Sequence, residues 1–118
     1  MLSTTKEKDA FREDQLDLIF HAVADKTRRL LLETLAERGP SKVTELAEPF
    51  EISLPAVSKH IKVLEKADLI SRSVDGRVHK CSLDAEPLKE VKIWLDYYKN
   101  FWSKNLDQLA RYVEENDD

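Results

Sequence analysis

Between residues 43 and 66 the apolar positions follow a helical period twice over. Val43, Leu46, Ala47 and Phe50 fall at i, i+3, i+4 and i+7, and Leu54, Val57, Ile61 and Leu64 form a second stripe. Ser53 stands where an N-cap belongs, just ahead of the second stripe, and Pro55 falls in the first turn, where a missing N–H does no harm. Ala47 precedes Val57 by ten residues, so a small side chain of the first helix can lie beneath the second. The pattern predicts two short helices joined by a tight corner, a helix-turn-helix.

The flanking pattern extends this unit. Residues 1–9 lack periodicity and read as a flexible N-terminus, with one domain over 10–118. A first helix is expected over 10–24, with Phe11, Leu16, Ile19, Phe20 and Val23 on more than one side. Asp25 then caps a helix over 26–38 whose Leu30, Leu31, Thr34 and Leu35 face inward, and Gly39-Pro40 ends it. Ser41 is placed to cap the helix that follows. Residues 69–74 and 78–83 read as strands joined through Asp75-Gly76, a hairpin signal. A hairpin directly after the second helix of the unit is a wing.

Asp84 caps the last helix, expected as one element over about 85–115, with Pro87 in its first turn. Its stripe is Leu88, Val91, Leu95, Tyr98, Trp102, Leu106, Leu109 and Val113, widened by Trp94, Tyr97 and Phe101. Some thirty residues of helix span about 45 Å, more than so small a core covers. The expectation is a dimer seam formed by the first and last helices, carried by Phe11, Leu16, Phe20, Leu88, Val91, Leu95, Tyr98, Trp102, Leu106 and Leu109.

Charge changes the picture at the central unit. Pro55, Lys59, Lys62 and Lys66 lie roughly opposite Val57 on the second helix, with Ser58 on the flank. The net charge of −4 looks unsuited to a nucleic-acid partner, but the charge is segregated. Residues 53–82 hold Lys59, Lys62, Lys66, Arg72, Arg77 and Lys80 against Glu65, Asp68 and Asp75, while the segments on either side are acidic. DNA responds to the field within about 10 Å, not to the total. The second helix of a helix-turn-helix normally enters the major groove, so double-stranded DNA is the expected partner. Phosphate attraction is expected from Lys42, Lys59, Lys62 and Arg77, with Arg72 and Lys80 further up the wing. Leu54, Pro55 and Ser58 are placed to meet base edges or thymine methyls, and Ser53 serves mainly as a cap.

Composition narrows the alternatives. Two glycines among 118 residues argue against an all-β fold and leave no phosphate-binding loop. No apolar run reaches membrane-span length and no signal peptide is visible. The single Cys81 cannot form an internal disulfide, which fits a reducing cytoplasm. His21, His60 and His79 are scattered over three elements without i, i+4 pairing, so neither a metal nor another cofactor is expected. No nucleophile has a base nearby, so no catalytic residue is assigned.

Several of these segments together resemble the ArsR family of bacterial winged-helix repressors. They are Phe20-His21-Ala22-Val23-Ala24-Asp25-Lys26-Thr27-Arg28-Arg29, Val43-Thr44-Glu45-Leu46-Ala47, Leu54 to Leu64 with its Val57-Ser58-Lys59-His60 run, and Ala67-Asp68-Leu69-Ile70. The long aromatic C-terminal helix is most similar to the metal-independent branch. The resemblance implies a homodimer whose two recognition helices occupy successive major grooves of an inverted repeat and block a promoter. In metal-sensing members a Cys-x-Cys-type cluster lies on the first helix of the motif, or His and Asp pairs on the last helix. Here 43–50 has no Cys or His, and the last helix has no His. Glu51 stands at the corner where many such motifs place Gly, which implies a corner that avoids φ > 0 or accepts a modest cost. The expected fold is mainly α with a β-hairpin, about five helices and a two-stranded wing. The expected function is sequence-specific repression from a homodimer. The competing expectation is a winged helix used only for protein contact. Nothing in the sequence identifies an effector.

Overall fold

Side chains that satisfy free backbone groups set the start of the helices Lys26–Arg38 and Leu54–Lys66. The computed structural model describes residues 5–116, with side chains over 10–115. It contains α1 (Thr5–Val23), α2 (Lys26–Arg38), β1 (Ser41–Lys42), α3 (Val43–Ala47), α4 (Leu54–Lys66), β2 (Ile70–Asp75), β3 (Val78–Leu83), α5 (Leu88–Asp96) and α6 (Lys99–Asn116). It falls into two units, Met1–Leu88 and Lys89–Asp118. Residues 1–4 of the expected flexible N-terminus lie outside the described residues, and 5–9 form the first turns of α1.

Asp25 joins α1 to α2. Its carboxylate accepts from the backbone N–H of Arg28 at 3.1 Å and caps α2. The two arginines that follow turn back to the C-terminus of α1. Arg28 donates from Nε to the Ala22 carbonyl at 2.7 Å and from Nη2 to that of His21 at 2.9 Å, and Arg29 donates to that of Val23 at 2.7 Å. Three carbonyls at the end of α1 thus meet cations at the negative end of the helix dipole, that of His21 also accepting from the Ala24 N–H.

The core of the first unit is built from Leu16, Ile19 and Ala22 of α1, Leu31, Leu32 and Leu35 of α2, Leu46 of α3, and Val57, Ile61 and Leu64 of α4. Leu69, Ile70 and Cys81 close it from the sheet side. Two expectations change here. Leu16, expected at a dimer seam, is a core residue of the single chain. On α2, Leu32 takes the inward place expected for Leu30, which is 38% exposed. Burial pushes the Cys81 thiol pKa up, which suppresses its thiolate.

The sheet has three strands in the order β1-β3-β2, not two. Ser41, expected as a cap, instead starts β1 and pairs with Cys81, and its hydroxyl donates to the Gly39 carbonyl at 2.9 Å. The N-terminus of α3 is held from the other side: the Glu45 carboxylate accepts from the Lys42 backbone N–H at 3.2 Å. At the helix-turn-helix corner Glu51 is not in the positive-φ region. The one non-glycine residue there among the described residues is Asp68, φ 60°, which ends α4. Its N–H donates to the Glu65 carbonyl at 2.9 Å and that of Leu69 to the Leu64 carbonyl at 3.0 Å, the paired bonds of a left-handed helix stop.

In the second unit the expected single helix is broken at Tyr97-Tyr98. There the N–H groups of Tyr97 and Tyr98 bond to Trp94 and Leu95, three residues back, before the four-residue spacing resumes from Trp102 to Tyr98. The Tyr98 ring packs edge-on against both Trp94 and Tyr97, with centroids 5.3 and 5.0 Å away. No Gly or Pro marks the break. Every side chain over 99–115 is exposed, and Phe101, Trp102, Leu106, Leu109, Tyr112 and Val113 share one face of α6.

Replacing Asp25 by Ala is expected to lower stability by about 1 kcal/mol in urea titrations, the usual worth of an N-cap. The Arg28 N–H holds the Asp25 carboxyl below its ordinary pKa of 3.8. A depressed acid stabilises the fold above its unfolded-state pKa and loses that contribution as pH falls through the folded-state value. The gap between wild type and Asp25→Ala should therefore be constant at neutral pH and narrow below pH 3.8.

Candidate nucleic-acid interface

The rotation of α4 about its axis decides which residues the molecule presents. Val57, Ile61 and Leu64 are fully buried. At 100° per residue, that turns Lys59, Lys62 and Lys66 to solvent, and all three are exposed. Ser53 caps the helix by accepting from the Ala56 N–H at 3.3 Å. Leu54, expected partly on the inner stripe, is 45% exposed at the N-terminal end beside Pro55, with Ser58 half-buried one turn on. The end of α4 that a groove would meet first thus carries two apolar residues and a hydroxyl, and the lysines follow.

His60 points the other way. Its Nδ1 lies 3.2 Å from Arg28 Nη1, a contact that ties α4 to the α1–α2 corner. A guanidinium only donates, so the ring nitrogen accepts there.

The wing turns through Gly76 and Arg77, since Asp75 and Val78 are already paired across the ladder. The expected Asp75-Gly76 turn is therefore shifted by one residue. Gly76 has φ 62° and Arg77 does not have positive φ, the pattern of a two-residue turn with Gly first. Arg77 is thereby fixed at the tip. Lys80 is exposed on β3 and stands directly across from Lys42 on β1. Like charges in register repel. Their pairing concentrates positive charge where no carboxylate ion pair among the described residues offsets it.

Arg72 behaves differently from the exposed cations. Its side chain is 19% exposed, and Nη2 lies 2.6 Å from the Glu65 carboxylate of α4. The guanidinium expected to reach DNA is held by protein instead, and Arg72 fastens the wing to the recognition helix. Nη1 lies 3.3 Å from His79 Nδ1, while Nε is buried and meets no acceptor among the described residues.

Between the wing and the start of α4 runs a cleft of about 380 Å³ lined by Lys42, Leu54, Ser58, Arg72, Arg77 and His79, among others. Lys42, Leu54, Ser58, Arg72 and Arg77 are expected from the sequence pattern, and His79 is not. Strand alternation held the signal: Arg72 pairs with Cys81, so His79, two residues along β3, is its diagonal neighbour on the same face. Lys59, Lys62 and Lys80 are exposed without lining the cleft. Among the described residues no three His, Cys, Asp or Glu come together as a metal-ligand set. No helix among them is long and apolar enough to cross a membrane.

Comparison with known proteins agrees with this geometry. The family model described as bacterial regulatory protein, arsR family, matches residues 25–72, from the α1–α2 corner into the wing. An HTH-type transcriptional regulator of Mycobacterium tuberculosis is 37% identical over 102 residues, covering 86% of this chain and 92% of the relative. The transcriptional repressor SdpR of Bacillus subtilis is 34% identical over 91 residues, 77% of this chain and 97% of its own. A crystal structure of an ArsR family transcriptional regulator superposes with a TM-score of 0.72 at 43% identity, covering 77% of this chain and 93% of the other. A homodimeric winged helix-turn-helix DNA-binding domain from Mycobacterium bovis, solved in solution, shares the fold with a TM-score of 0.63 at 20% identity, over 85% of this chain and 91% of that one.

An added Cβ at Gly76 meets nothing within 4 Å, so only the backbone resists it. Gly76→Ala is expected to cost about 1 kcal/mol through its positive φ, read by urea denaturation, with no change in the rest of the fold.

Proposed function

The chain belongs to the ArsR family of bacterial helix-turn-helix transcriptional regulators, DNA-binding proteins and not enzymes, and on that premise we propose that it is a metal-independent repressor acting as a homodimer on an inverted-repeat operator. The observation that carries the reading is the outward row of Lys59 and Lys62 on an α4 whose opposite face is buried. Phosphates meet Lys59, Lys62, Lys42, Lys80 and Arg77, while Leu54, Pro55 and Ser58 read base edges. Ser53 caps the helix that presents them.

Repression follows from occupancy: a dimer lying across a promoter excludes the transcription machinery. The name of the Bacillus subtilis relative supports that direction of control. Dimerisation is supported by the apolar face of α6 and by the homodimeric Mycobacterium bovis domain of the same fold. Phe11 and Phe20 of α1 join Leu88, Val91, Leu95, Tyr98, Trp102, Leu106 and Leu109 in the proposed seam. Leu16 does not, being part of the core. Independence from metal is supported by residue types: α3 holds no Cys or His, and neither does any residue from Leu88 to Asn116.

Fluorescence anisotropy on the DNA upstream of its own gene, over a range of salt, tests the reading. Affinity should fall linearly in log–log form, and Lys59→Ala and Arg77→Ala should each make the slope shallower by about one. Added zinc should leave the curves unchanged. Wild-type binding that both substitutions leave intact would overturn the contact surface. Absence of salt-dependent binding would instead favour a protein-contact module.

Seam and recognition surface separate in a second measurement. Leu109→Glu should shift the sedimenting species from dimer to monomer and weaken operator binding, because one recognition helix then acts alone. A Leu109→Glu protein that still sediments as a dimer would rule out this face of α6 as the seam.

A further inference from the structure

We propose that His79 is a DNA-contacting residue, held in the donor orientation by a Glu65–Arg72 pair that acts as its positioning device. The inference rests on the DNA-binding reading and deepens it.

The geometry runs in one direction. Glu65 lies near the end of α4, and its carboxylate holds Arg72 of β2 at 2.6 Å. A guanidinium has five N–H donors and no acceptor. The 3.3 Å contact between Arg72 Nη1 and His79 Nδ1 therefore requires Nδ1 to accept, which leaves the ring proton on Nε2. His79 is exposed and lines the cleft between the wing and the recognition helix, beside Lys42, Ser58 and Arg77. An Nε2–H in that cleft is a directional donor for a phosphate or base-edge acceptor.

The role makes a distinctive pattern of losses. Neutral imidazole displaces no counterion, so its removal lowers affinity without changing the salt slope, unlike removal of a cation. The amide of Gln can set a donor near the place of Nε2, whereas Asn sets one near Nδ1.

The test is anisotropy with a labelled duplex covering the DNA upstream of the protein's own gene, at several salt concentrations. His79→Ala and His79→Asn should each weaken binding about tenfold, the worth of one hydrogen bond to a charged oxygen, with the slope of wild type. His79→Gln should recover most of that loss. Arg72→Lys keeps the charge but loses the fork, and should bind as weakly as His79→Ala. The double substitution should be no weaker than either single one.

Thermal unfolding of each variant keeps the outcome readable, since exposed His79 can be replaced without harm to the fold. His79→Ala binding like wild type overturns the proposal, as does a double variant whose losses add. An Arg72→Lys protein that melts earlier but binds normally makes the pair purely structural and also overturns it. The two readings fail separately. Lys59-dependent binding that ignores His79 sinks only this inference, whereas a wild type that binds no duplex sinks the DNA-binding reading with it.

Discussion

Burial of one face of α4 is the constraint from which the rest follows. Val57, Ile61 and Leu64 have no exposed surface, and truncating a buried aliphatic of this kind to Ala costs roughly 2–5 kcal/mol. A domain with a total stability of about 5–15 kcal/mol cannot rotate that helix and survive. The lysines need no interaction of their own to be aimed, because the apolar side holds them in place. Recognition chemistry can therefore sit on residues that contribute little to folding.

A second constraint fixes that helix in space. The Asp25 to Arg29 segment caps α2 with a carboxylate and closes α1 with two guanidiniums, and Arg28 also reaches His60 on α4. Conformational freedom between the first helices and α4 is thus absorbed by side chains that each hold two elements. Near the C-terminal end of α4, Glu65 does the same for the wing through Arg72. Side-chain bonds that cross between elements thus hold α4 at its middle, through His60, and near its C-terminal end.

Local rules made most of this legible in the sequence. The bounds of α2 and α4 follow from Asp25, Gly39, Ser53 and the helical stripes, and the hairpin follows from one Asp-Gly pair. What escaped depended on tertiary contact. Two residues after Pro40 show no strand period, so β1 exists only because β3 offers it a ladder. The break at Tyr97-Tyr98 carries no Gly or Pro and arises among packed rings. Arg72 looked like any wing cation, because its carboxylate partner is seven residues away in another element. Leu16 lies inside and Leu30 outside because a stripe gives the existence of a face more reliably than its edges.

The shortest strand has a long reach. Because β1 enters the ladder immediately before α3, the chain between Gly39 and Val43 can neither gain nor lose a residue freely. One insertion would turn Ser41 outward and drive Lys42 toward Cys81, reversing both side chains at once. Substitution at Arg77 or in the first turn of α4, by contrast, changes side chains while the length of the chain around β1 stays as it is.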